Sequence, residues 1–134
     1  MFDAVVEQLV SEHILTFSGY QEENWTKPNI NFATPSEGIW VRVQVDNSYS
    51  SVASITDNPL IESAGLITFQ VFDQENNGTW EIKAFTDALA NHMALLVKHN
   101  LFLGTPTTRH VGAVEGWYQV NLIIPYEYYG VKNL

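Results

Sequence analysis

Between Ile39 and Val45 the chain alternates with a period of two, Ile39, Val41, Val43 and Val45 on one side and Trp40, Arg42 and Gln44 on the other. Successive side chains of an extended strand point to opposite faces, and a helix would scatter these residues around its axis. The segment is therefore a strand with one core face and one amphipathic face. Whatever the chain folds into must contain a sheet whose two sides differ. Two further segments carry the same period. Gly65 to Phe72 sets Ile67, Phe69 and Val71 against Leu66, Thr68, Gln70 and Phe72, and Trp117 to Tyr126 sends Tyr118, Val120, Leu122 and Ile124 one way.

The remaining elements follow from weaker signals. Asp46-Asn47-Ser48 reads as a turn and Tyr49 to Thr56 as a small-residue strand, which together predict an antiparallel hairpin, closed by Asp57-Asn58-Pro59. Glu115-Gly116 reads as the turn of a closing hairpin whose first strand is Arg109 to Val114. Phe2, Val5, Val6, Leu9 and Val10 have helical spacing, with Asp3 at the end where the dipole favours an anion. They predict a helix from Phe2 to about Phe17, ended by Gly19. Asp73 to Gly78 is a polar turn leading into a second helix from Thr79 to about Lys98. Ala84, Phe85, Ala88, Leu89, Leu95 and Leu96 form its apolar stripe, and Lys98 and His99 suit its negative end. Leu101 to Thr108 reads as a connector. The order is helix, three strands, helix, two strands, so the predicted class is α+β: a largely antiparallel sheet with two helices packed on one face, a single domain over 1–134. Val43, Phe69, Phe85, Leu89 and Val120 are its predicted inward residues.

Composition excludes several kinds of chemistry. At 134 residues, with 46% hydrophobic and 16% charged, the chain has material for one core and too little charge for a disordered tail. Six Lys and Arg face fifteen Asp and Glu, a formal charge of -9 that repels phosphate backbones and anionic lipid. The lack of cysteine removes disulfides, thiolate zinc sites and cysteine nucleophiles together. Met1-Phe2-Asp3 does not open a basic region followed by an apolar one, and no apolar run approaches the roughly 20 residues that span a bilayer. The expectation is a protein that is made in, and stays in, a cytoplasm, away from membranes. Phosphate-cradle, dinucleotide, serine-hydrolase and zincin motifs are all missing. His13, His92, His99 and His110 are scattered, with Leu96 one helical turn beyond His92 where a second ligand would stand. Fifteen carboxylates must include some neighbours, so no catalytic pair can be named. Asn24-Trp25-Thr26 and Asn77-Gly78-Thr79 match a glycosylation sequon that has no meaning without secretion. The chain is expected to be no enzyme and to hold no cofactor or metal.

Aromatic placement is more informative. From Gly19 to Gly38 the chain runs without period through Pro28 and Pro35, a length of loop uncommon in a compact domain. It is either an arm that contacts another molecule or a loop pinned along the surface by Trp25, Ile30 and Phe32. Trp40 and Trp117 lie out of phase with the core residues of their strands, on the face opposite the helices, beside Arg42, Gln44, Gln119 and Asn121. They either close a second, minor core or anchor another subunit, since Trp and Arg are enriched at interface hot spots. Candidate interface residues are thus Trp25, Phe32, Trp40, Arg42 and Trp117. The tyrosines of Pro125-Tyr126-Glu127-Tyr128-Tyr129-Gly130 favour a docked end.

The run Asn31-Phe32-Ala33-Thr34-Pro35-Ser36-Glu37-Gly38-Ile39-Trp40-Val41-Arg42-Val43-Gln44-Val45 resembles the F-x-P-x-x-G-x-W-V-R-V-x-V opening of the tail-terminator-like, or tail-completion, proteins of long-tailed bacteriophages. Gly65-Leu66-Ile67-Thr68-Phe69-Gln70-Val71-Phe72, followed by Asn77-Gly78 and a helix with Asp87-Ala88-Leu89, is similar to that family's G-x-I-x-I-Q-V-F … G-x-G stretch. Trp117-Tyr118-Gln119-Val120-Asn121-Leu122-Ile123-Ile124-Pro125 is similar to its last strand. The turn here reads Asn-Asn-Gly where the family commonly has a second glycine. The stretches lie in the family's order across nearly the whole chain, and each is structural.

The resemblance implies a virion protein that forms a homo-oligomeric, hexameric ring on the head-proximal end of the tail tube. The ring would stop addition of tube protein and offer a surface to the head-completion or connector protein. Genomic DNA would pass through without specific binding, and a ring of -9 subunits repels phosphate. Acidity serves solubility equally well. Two other classes stand beside this reading: a head-completion or head-tail connector protein of the same particle, and a small-molecule-binding or enzymatic α+β domain. The last would need a concave pocket with convergent polar groups and a perturbed titrating residue.

Overall fold

The computed structural model describes residues 1–132, so the last two residues of the predicted 1–134 domain lie outside it. The class is α+β, as expected. The elements in chain order are α1 (Asp3–Ile14), β1 (Trp25–Thr26), β2 (Trp40–Val52), β3 (Leu60–Gln74), α2 (Trp80–Met93), β4 (Val97–Lys98), β5 (Leu101–Leu103), β6 (Thr107–Val114) and β7 (Trp117–Val131). They form one seven-stranded sheet in the order β1-β2-β3-β7-β5-β4, with β6 also paired to β7. Every pairing is antiparallel except that of β1 with β2.

The period-two segments supply the three central strands, and their registers align the core. Val41, Val71 and Val120 lie in one row across β2, β3 and β7, as do Val43, Phe69 and Leu122, and Val45, Ile67 and Ile124. Both helices cover this face. Val6, Leu9, Val10 and Ile14 of α1 and Ile82, Leu89 and Met93 of α2 are buried against it, and Phe69, Ile67, Leu89 and Val120 are fully enclosed. The predicted inward residues are therefore inward, with Val43 and Phe85 half-buried at the margin. The stripe of α2 runs one step round from the predicted one, through Ile82, Thr86, Leu89 and Met93, which leaves Ala84 and Ala88 exposed. Thr86 is tolerated inside because its hydroxyl donates to the Ile82 carbonyl at 2.7 Å.

Several boundaries differ from expectation, and the predicted Gly65–Phe72 and Trp117–Tyr126 strands are longer, at Leu60–Gln74 and Trp117–Val131. Asp46-Asn47-Ser48 is no turn: β2 runs straight through it, and the register steps from Asn47 opposite Gly65 to Tyr49 opposite Ala64. Ser48 is the extra residue of a β-bulge. Gly65 makes the close approach possible, since a Cβ there would collide with the Asp46 carbonyl oxygen and the Tyr126 ring. The hairpin consequently turns at 53–59, well beyond the bulge. The regular part of α1 ends at Ile14, although i→i−3 bonds from Thr16 to His13 and from Phe17 to Ile14 carry the coil three residues further. The second helix ends at Met93 and not near Lys98, because Ala94 is extended and Leu95 turns to φ +56°. The supposed connector from Leu101 contains β5, joined to β4 by a two-residue turn in which His99 and Asn100 both have positive φ. The Glu115-Gly116 turn lies where predicted, and the terminal tyrosines are docked within β7.

Candidate functional site

The helices leave the opposite face of the sheet bare, and the register places the out-of-phase residues there. Trp40, Phe72 and Gln119 make one row and Arg42, Gln70, Asn121 and Arg109 the next. Gln44, Thr68, Ile123 and Thr107 follow, and Asp46, Leu66 and Pro125 come last. At the first row the face is aromatic. Trp40 stacks on Phe72 with ring centroids 4.1 Å apart and planes 12° from parallel, and meets Trp117 edge-on at 5.8 Å and Phe32 at 5.5 Å. The Arg42 guanidinium stands 5.8 Å from the Trp40 ring and reaches Gln70 Oε1 at 3.5 Å. Trp40 is only 5% exposed, and its indole N–H, fully enclosed, has no hydrogen-bond partner among the described residues. Trp40 and Phe72 are buried here as a second, minor core, with Phe32 and Trp117 half-buried at its margin and Arg42 exposed.

The structure thus brings together four of the five candidate interface residues, Phe32, Trp40, Arg42 and Trp117, and separates the fifth. Trp25 pairs with Val41, so its side chain falls on the helix side, 5.3 Å from Tyr20 and 6.2 Å from both Phe17 and Phe69. The 19–38 segment straddles the edge of β2, Trp25 packed on one face and Phe32 on the other. Between Asn29 and Gly38 it has no regular structure and leaves Ile30 57% exposed. The Gln74 side chain donates to its Ser36 carbonyl at 2.9 Å.

Two features have no signal in the linear sequence. His13 and His92, at the ends of α1 and α2, stack at 4.2 Å and 12°, and each ring donates its Nε2–H to the other residue's carbonyl, at 2.8 and 2.9 Å. The pair stitches together two helix C-termini whose last carbonyls need donors. The second feature is a groove of about 270 Å³ between α1 and β2, lined mostly by apolar side chains. It exists because β1 is only two residues long and covers β2 at Val41 and Arg42 alone. Another concavity of about 360 Å³ lies at the bulge, between Tyr49, Phe102, Pro125 and Glu127.

Electrostatic perturbations are few. Lys98 hydrogen-bonds Glu12 at 3.0 Å and, with Gln8, holds its carboxyl below the usual glutamate range. Burial raises the Tyr126 phenol above its ordinary value, and Tyr129 is raised chiefly by donating to Glu127 at 3.0 Å. Among the described residues no three His, Asp or Glu side chains converge as metal ligands, and no helix is long and apolar enough to cross a membrane.

No protein-family model and no curated protein matches the chain. Among solved structures, one superposes with a TM-score of 0.68 at 11% sequence identity, covering 98% of this chain and 96% of its own. At that identity the likeness is one of fold alone.

Proposed function

We propose that this protein is a non-catalytic virion subunit that assembles as a ring on the head-proximal end of a bacteriophage tail tube, ends tube growth and presents a surface to the head connector. The observation that carries the reading is where the three resembling stretches fall. Their strand portions, Trp40 to Val45, Gly65 to Phe72 and Trp117 to Pro125, fall in β2, β3 and β7, three adjacent strands that share the rows through Val41, Val71 and Val120. A chance match to short motifs has no reason to select one contiguous framework. A charge of -9 on each copy agrees with a passage that DNA must cross without sticking.

Electron microscopy of the isolated protein, alone and with tail tubes, tests the reading. Closed rings with a central hole, and caps at one end of the tubes, are the expected result. Monomers at every concentration, with tube ends bare, would defeat it. Binding to the head vertex in place of tube ends would move the protein to the connector class. Retention of double-stranded DNA at physiological salt should be undetectable, because few cations are present to release counterions. Tight salt-sensitive binding would remove the argument from charge.

A further inference from the structure

On the ring reading, each copy must offer two different patches that fit one another, since a heterologous contact closing by rotation joins unlike surfaces. The chain carries such a pair. One patch is the groove beside β2. Val43 and Val45 form its floor, Val10 and Ile14 of α1 with the following Leu15 its wall, and Trp25 its end. Val10 and Ile14 are already buried, but Val43, Val45 and Trp25 are only half-buried and Leu15 is exposed, because the neighbouring strand stops at Thr26 and Pro28 carries no N–H with which to continue a ladder. Lys27 and Glu7 stand at its rim.

The other patch is the tip of the β2–β3 hairpin. There Ile55 is 94% exposed and Val52 57%. Single exposed aliphatic residues are common, but the chain on either side of this one is hydrogen-bonded. The Ala53 and Ser54 N–H groups donate to the Leu60 carbonyl at 2.7 and 3.3 Å, and the Leu60 N–H donates to Ser54 Oγ at 3.2 Å. The Thr56 hydroxyl donates to the Asn58 carbonyl at 2.8 Å, and the Lys132 N–H to the Pro59 carbonyl at 3.0 Å. A tip ordered in advance loses little entropy on docking. It cannot fill its own groove, because β2 carries it away from Val45 as far as Val52, a span of roughly 20 Å before the turn begins. Charge adds direction. Asp57 is the sole charged residue of the 53–59 tip, and the ion pairs among the described residues, Met1–Asp3 and Lys98–Glu12, engage neither it nor Lys27.

We infer that the hairpin tip of one copy seats Ile55 in the groove between α1 and β2 of the next copy, with Asp57 against Lys27. This contact rests on the ring reading and supplies its subunit interface. Ring population is measured by light scattering across a concentration series and by microscopy. Ile55→Asp and Lys27→Asp should each weaken association about tenfold or more, with the subunit's thermal midpoint unchanged. Combining Lys27→Asp with Asp57→Lys should restore most of the loss. Because the chain has no cysteine, an Ile55→Cys protein mixed with a Leu15→Cys protein should form a mixed disulfide under mild oxidation, faster than either alone. Rings that survive Ile55→Asp, with no preferential mixed disulfide, would overturn this contact and leave the ring reading standing. A wild-type protein that associates neither with itself nor with tube ends would defeat both.

Discussion

The two faces of the central sheet are built from the same three strands, one residue out of step, and they have solved burial differently. On the helix side each row is apolar across the three central strands, Val41, Val71 and Val120, then Val43, Phe69 and Leu122, and turns polar only in β6, at His110 and Thr108. On the other side the rows change character along the strands, from Trp40 and Phe72 through Arg42, Gln70 and Asn121 to Leu66 and Pro125. Only the aromatic end of that side is closed, and it is closed by the 19–38 arm, not by a helix. An alternating strand commits one set of side chains to the core and leaves the other set free to be core at one point and surface at another.

The sharpest test of this contrast is the deletion of one large side chain from each face. Phe69 is wholly enclosed beneath the helices, so Phe69→Ala should cost about 3–5 kcal/mol, read from the urea midpoint at constant m-value. Trp40→Ala removes a larger group, yet it should cost less, about 2–3 kcal/mol. The indole N–H is a buried donor with no partner, and removing it relieves roughly 1–3 kcal/mol of desolvation. Trp40→Phe separates the two contributions. It keeps most of the stack on Phe72 while discarding the orphaned donor, and should leave stability within about 1 kcal/mol of wild type. Equal losses for Trp40→Phe and Trp40→Ala would mean that the N–H is satisfied, and the contrast between the faces would shrink to one of volume.

That contrast was legible in the sequence wherever period two was strict, at Ile39–Val45, Gly65–Phe72 and Trp117–Tyr126, because strand alternation is a local property. Where a partner decides the geometry, it was not. Asp46-Asn47-Ser48 has the composition of a turn, and only Gly65, paired across the strand, makes it a bulge. The end of α2 depends on Leu95 at φ +56°, a conformation that no residue type there announces. Trp25 and Phe32 share one arm, yet they land on opposite faces because the arm crosses the edge of β2, which spacing along the chain does not encode. The stacked His13 and His92 are 79 residues apart and were invisible for the same reason. The aromatic cluster of the candidate site was therefore readable as a face, whereas the groove and hairpin tip required the sheet's edges.

A smaller effect distinguishes the helix side by pH. Tyr126 is 3% exposed at the end of the core rows, and burial raises its phenol above the usual value near 10. A raised value in the folded state means that the neutral phenol is favoured there. Its contribution is fully present below pH about 10 and is lost as pH rises through the folded value. Stability should fall on the alkaline side, and Tyr126→Phe should flatten that limb while leaving the neutral midpoint nearly unchanged. An alkaline limb identical in the variant would assign the loss to other tyrosines or to lysines.

The smallest expected effect lies at the rim of the same side, where Glu12 of α1 meets Lys98 of β4 at 3.0 Å. Hydrogen bonding to Lys98 and then to Gln8 holds the carboxyl below its ordinary value of 4.5. The contribution is therefore present above about that pH and disappears as the solution is acidified through the lower, folded value. Both partners are partly open to water, so screening and side-chain entropy offset most of the attraction. Glu12→Gln should change the urea midpoint only marginally at pH 7, and the difference should vanish in 1 M salt. A loss comparable to that of Trp40→Ala would mean that α1 is held by its charged rim as much as by Val6, Val10 and Ile14. The helix side would then owe its stability less to its apolar rows than the contrast between the faces requires.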